Sequence, residues 1–93
     1  MNLPKCSLKN SLSETDLLIA AEQDTLEKIL VVEVENGFCV LVEMKWAKDK
    51  KWFISTRRER HSPRLFKDLN RLNAFLKEHF PFTNYVLKRN GSL

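Results

Sequence analysis

The sequence predicts an α+β domain of two layers, a three- to four-stranded antiparallel meander sheet packed on a C-terminal helix, with a short N-terminal helix. Three observations carry this. Two β-branched runs flank Asn36-Gly37 in EKILVVEVENGFCVLVEMKW, the strongest short-range hairpin signal. A third apolar run, WFISTRR, follows after the polar turn AKDKK. From Asp68 onward the period changes, and Leu69, Leu72, Phe75, Leu76 and Phe80 form one apolar stripe.

Residues 1–12 are polar with single leucines and are expected as a flexible arm. One domain spans 13–88, and 89–93 form a frayed tail. Ser13 opens S-E-T-D, a capping-box pattern with Asp16 at the third helical position. Residues 14–23 then suit a short helix with Leu17, Leu18 and Ala21 on one face. In the hairpin, a two-residue Asn36-Gly37 turn pairs Glu35 with Phe38, Glu33 with Val40 and Val31 with Val42. That register sets Leu30 opposite Glu43, a mismatch that calls for cover on both faces or a bulge. Pro63 lacks an amide hydrogen, so 63–66 is expected as a short edge strand at most. Asp68 is the expected N-cap of the second helix, and Pro81 ends it. The tail TNYVLKRNGSL has room for one more short strand.

A chain of 93 residues with 43% hydrophobic content can build one modest core. Its net charge of +4 conceals segregation. Residues 1–44 carry eight acids against three lysines, a net of −5, and residues 45–93 carry thirteen bases against four acids, a net of +9. The basic half suits nucleic acid or an acidic protein partner. Alternatively, the halves neutralise each other on folding.

Little in the chain suits catalysis. His61 and His79 are the two histidines, and neither has a carboxylate or nucleophile at a recognisable spacing. Gly37 and Gly91 are too few for a phosphate loop, and no metal-ligand spacing appears. Cys6 and Cys39 make neither a zinc site nor a disulfide framework. The expectation is a non-enzymatic protein without cofactor or metal. The N-terminal stretch has no apolar core of a secretory signal, and no run is long enough to span a bilayer. A cytoplasmic protein with no membrane partner is therefore expected.

The functional expectation centres on STRRERHSPR, residues 55–64. Arg57, Arg58, Arg60 and Arg64 are candidate phosphate contacts, assisted by Lys45, Lys50 and Lys51. With Trp52 and Ile54 packed on the helix, Ser55 and Arg57 would face solvent. Phe53 or Trp46, if exposed, would stack on single-stranded bases. The alternative is a protein–protein module or small inhibitor that docks an oppositely charged partner without binding nucleic acid. A homodimer is compatible with either reading.

Residues 52–81 carry Pro63, Arg64, Phe66, Lys67, Leu69 and Leu72 in a strand, charged turn, then short-helix outline. This segment resembles small plasmid-borne proteins of the partition-associated (ParC-like) type. It departs from them at Asp68-Leu69-Asn70, where that pattern has Ser-Leu-Asp. The resemblance implies a non-catalytic accessory protein of a mobile element, acting in plasmid maintenance or its regulation. The strand–strand–strand–helix order also resembles integrase-type and plant-type three-stranded DNA-binding domains, whose sheet lies in the major groove.

Overall fold

The computed structural model describes residues 3–56, 58–59, 62–81 and 83–91. It contains β1 (Ser11–Leu12), α1 (Glu14–Glu22), β2 (Leu26–Val34), β3 (Gly37–Met44), β4 (Ala47–Ile54), α2 (Leu69–His79) and β5 (Tyr85–Lys88), preceded by a 3₁₀ turn at Leu8–Asn10. The fold is α+β, as expected. The sheet is larger than the expected meander and is mixed, with order β1-β4-β3-β2-β5. The antiparallel meander is its centre, β2 to β4. β1 joins β4 in parallel and β5 joins β2 in parallel. Each added strand needs a crossover connection, and α1 and α2 supply the two crossovers. β1 has two residues and β5 four, too short to show a period in sequence.

Helix starts follow local chemistry. The Ser13 hydroxyl accepts from the Asp16 amide at 3.1 Å, and the Asp16 carboxylate accepts from the Ser13 amide at 3.1 Å. Asp68 accepts from the Arg71 amide at 2.8 Å. Each satisfies donors that the first turn leaves unpaired. Leu72, Phe75 and Leu76 are the buried stripe of α2, and Leu17 and Ala20 are buried on α1.

The hairpin register corrects the expected one by two residues. Val34 pairs with Gly37, Glu33 with Phe38, Val31 with Val40, Leu30 with Leu41 and Lys28 with Glu43. A two-residue slip leaves every side chain on its original face. It replaces the Leu30–Glu43 mismatch by an apolar pair and sets Lys28 opposite Glu43. The turn is now Glu35-Asn36. Gly37 follows it at φ +145, where its missing side chain lets the Phe66 carbonyl approach. There the 63–66 segment joins the sheet. Phe38 N–H donates to Phe66 O, and Phe66 N–H to Phe38 O, both at 2.8 Å. This segment makes only isolated bridges, in keeping with the limit set by Pro63.

Both faces of the sheet are covered. Ile29, Val31, Val40, Val42, Met44 and Ile54 pack with α1 and α2. Leu30, Val32, Val34, Cys39, Leu41 and Phe53 form a second cluster with Cys6 and Leu3 on the opposite side. Residues 3–12, expected as a flexible arm, are thus part of the domain, closed at 7–10 by a capping box and at Ser11–Leu12 by strand pairing. At the other end Gly91 N–H donates to Glu33 O at 2.8 Å, and Gly91 lies against Val32 and Val34.

Two predictions follow from these contacts. Gly37→Ala forces a side chain onto the Phe66 carbonyl in a backbone region that alanine avoids. It should cost about 2 kcal/mol or more in urea unfolding, whereas unchanged stability would contradict the close approach. Burial pushes the Cys39 thiol up to about 11, and burial with the nearby Glu59 charge raises Cys6. The unfolded chain therefore loses its thiol protons first. Stability should be intact below about pH 8.5 and should fall as the pH rises towards 11. Urea midpoints across that range, compared with a Cys39→Ala variant, check the sign.

Candidate nucleic-acid interface

The five expected contact residues that are described do not form one surface. Arg57 and Arg60 lie outside the described residues, as does His61. Arg58 is exposed. The turn that carries it is closed locally, with the Glu59 amide donating to the Thr56 hydroxyl at 3.0 Å. Arg64 turns inward at the far end of β4. Its amide donates to Ile54 O, and its guanidinium contacts Glu14 Oε2 at 3.1 Å. The same guanidinium lies over Phe66 and Phe75, 4.7 and 5.0 Å from the ring centroids. This pairing engages the Arg64 guanidinium within the fold.

Two further expectations are corrected. Ser55, expected to face solvent, is 3% exposed, and its hydroxyl donates to Leu12 O. Phe53, a candidate for base stacking, is fully buried in the second cluster. Both expectations assumed that the sheet face away from the helices was open. The arm closes it.

The three lysines cluster at the β3–β4 hairpin. Lys45 and Trp46 form its two-residue turn. Among the described residues only Asp24 and Asn90 have positive φ outside glycine, so this turn lacks the left-handed geometry that matches strand twist. The ladder breaks accordingly. Met44 pairs with Ala47, the next pair is Glu43 with Lys51, and residues 48–50 bow out between them. The broken ladder pushes Lys48, Asp49 and Lys50 into solvent.

Trp46 stands at the tip, 67% exposed, the most exposed large apolar side chain among the described residues. Its ring leans on Trp52, with centroids 5.9 Å apart and planes at 58°. Trp52 packs against the main core. Lys50 Nζ sits 3.7 Å above the Trp52 ring and donates to Lys9 O at 2.7 Å, tying the bulge to the arm. Trp52 Nε1 is buried without an acceptor among the described residues, so packing and the Lys50 cation hold the ring. Lys45 Nζ is 3.3 Å from Asp24, with side chains 46% and 92% exposed, and Lys51 Nζ is 3.5 Å from Glu43. The Lys45–Asp24 pair is solvated and contributes little, whereas Lys51 and Glu43, 38% and 21% exposed, form a more sheltered pair.

A second cluster was invisible in sequence. Glu14 Oε1 lies 3.6 Å from His79 Nε2 while Oε2 takes Arg64, so one carboxylate joins α1, α2 and the 63–66 segment. His79 also sets its ring edge-on to Phe75 at 4.7 Å. These partners are fifty and sixty-five positions from Glu14, beyond any spacing rule. The first turn of α1 and the last turn of α2 place them. Phe66, Lys67, Arg71 and Glu78 line an open groove beside the cluster. Among the described residues no group of three or more His, Cys, Asp or Glu side chains can hold a metal, and no helix is long and apolar enough to cross a membrane.

No protein family, curated protein or solved structure matches this chain.

The Glu14–Arg64 contact is half-buried and shared with His79, and should be worth more than the solvated Lys45–Asp24 pair. A double-mutant cycle of Glu14→Ala and Arg64→Ala in urea should give a coupling of about 0.5–1 kcal/mol. Arg64→Ala alone should cost more, through its lost contact with Phe66 and Phe75. A coupling no larger than that of Lys45 with Asp24 would contradict the clasp.

Proposed function

We propose that the protein is a non-enzymatic nucleic-acid-binding accessory protein whose contact surface is the tip of the β3–β4 hairpin. The observation that carries this reading is the exposed Trp46 indole at a turn whose neighbouring chain positions include Lys45, Lys48, Lys50 and Lys51. Ammonium groups on a projecting turn meet phosphates without disturbing the core, and the sequence pI of about 9.3 favours encounter with a polyanion. Lys45 and Lys51 keep their expected role, Arg58 remains an exposed cation, and Arg64 becomes a structural residue. The resemblance of residues 52–81 to partition-associated plasmid proteins supports an accessory role in mobile-element maintenance or its regulation. The matched Phe66 and Leu72 are core residues here, so that resemblance bears on fold more than on contact.

The same exposed tryptophan also favours a second reading. A large apolar side chain in a polar rim is the usual anchor of a protein interface, and an acidic partner would suit the lysines.

Fluorescence anisotropy with labelled mixed-sequence DNA and RNA, at two salt concentrations, separates the two. The wild type should bind with a steep loss of affinity in salt. Lys45→Gln/Lys48→Gln/Lys51→Gln should weaken binding at least about tenfold and lower the salt slope by about 2, and Arg58→Ala should change it little. No binding by the wild type would overturn the reading and favour the protein partner.

A further inference from the structure

We infer that the hairpin tip accepts an unpaired nucleobase, so that the ligand is single-stranded nucleic acid rather than duplex. This rests on the nucleic-acid reading above and adds the class of ligand and a division of labour among the residues. In it Trp46 stacks on a base, Lys45 and Lys48 meet the flanking phosphates, and Lys50 is a positioning residue that contacts neither.

The fold covers the surfaces by which proteins usually read a duplex. Proteins read duplex DNA by laying a helix, a two-stranded ribbon or a sheet face into a groove. Neither sheet face is open, because helices cover one and the arm covers the other. The outer side of α2 mixes its bases with acids and a hydrogen-bonded amide. Arg71 pairs with Asp68 at 3.4 Å, Asn73 accepts from the Tyr85 hydroxyl at 3.1 Å, and Glu78 adds an acid. The hairpin is no free ribbon, since β3 is buried as far as Met44. Among the described residues, the Lys45-Trp46 turn and the 48–50 bulge are the exposed segment that sets lysines next to a large exposed ring. That is too short to run along a groove.

It is long enough to meet one nucleotide. A flat indole that is two-thirds exposed offers a face to any base, and stacking tolerates sequence. Trp46 is not loose, because Trp52 backs it and Lys50 fixes Trp52. The Lys50 ammonium is spent on the Lys9 carbonyl and the Trp52 ring. Lys48 is exposed in the bulge, and the Lys45 ammonium pairs with the solvated Asp24. Duplex bases are already stacked on each other and offer Trp46 no free face except at an end.

The test is anisotropy with a single-stranded 12-mer, the same strand carrying abasic sites, and a hairpin-capped duplex without free ends. The intact strand should bind on the order of tenfold more tightly than either competitor. Trp46→Ala should erase that preference and leave weak salt-dependent binding, and Trp46→Phe should keep part of it. Lys48→Gln should lower the salt slope by about 0.7 with the base preference intact. Lys50→Gln should leave the slope unchanged and reduce the preference. Equal binding of strand, abasic strand and duplex would overturn this inference while leaving the nucleic-acid reading standing. No binding to any of the three would overturn both.

Discussion

The structure depends on one constraint, the burial of β2 and β3 on both faces. Val31, Val40 and Val42 point to the helices, and Val32, Cys39 and Leu41 point the other way, all essentially without solvent contact. A small chain has little material to cover two faces. Here α1 and α2 share one side, which both crossovers reach, and the N-terminal residues serve the other. Each buried aliphatic side chain stabilises by about 1.5–3 kcal/mol. Leaving the second face open would therefore forfeit much of a small domain's net stability.

The constraint also sorts the charges. With no sheet face available, charged side chains collect at turns, strand edges and helix exteriors. Among the described residues, Lys and Arg pairs link the acidic first half of the chain to the basic second half at Asp24 with Lys45, Glu43 with Lys51 and Glu14 with Arg64. Part of the segregation seen in sequence is thus mutual neutralisation on folding. Lys48 and Lys50, in the bowed segment after the Lys45-Trp46 turn, lie outside these three pairs, and the broken ladder leaves them exposed near an exposed indole in the chain. A local failure of strand geometry thereby exposes the segment on which the proposed function rests.

Local features of the fold were legible in the sequence because each is set by neighbours. Ser13 and Asp68 announce helix starts by capping chemistry, Leu72, Phe75 and Leu76 announce a buried stripe by period, and Asn36-Gly37 announces a hairpin. The two-residue register slip was not legible, since it is decided by pairing Leu30 with Leu41 across the strands. Nor were β1 and β5, whose pairings are parallel and distant in sequence. The site was half legible. Lys45, Lys50, Lys51 and Trp46 were among the candidates, but composition drew attention to the arginine-rich turn. Whether Phe53 and Ser55 face water depends on residues 3–12, which look like a polar arm until Cys6 and Leu3 are placed. The Glu14–Arg64–His79 clasp depends on three elements meeting in space.

The account stands most directly on where a ligand touches the molecule. Amide and indole N–H correlation spectra of the labelled protein, recorded while a short oligonucleotide is added, would show this residue by residue. The account predicts shifts at the Trp46 indole and at the amides of residues 45–51, with α2 and β5 undisturbed. Shifts centred on residues 57–64 or along α2, with the Trp46 indole unmoved, would contradict it.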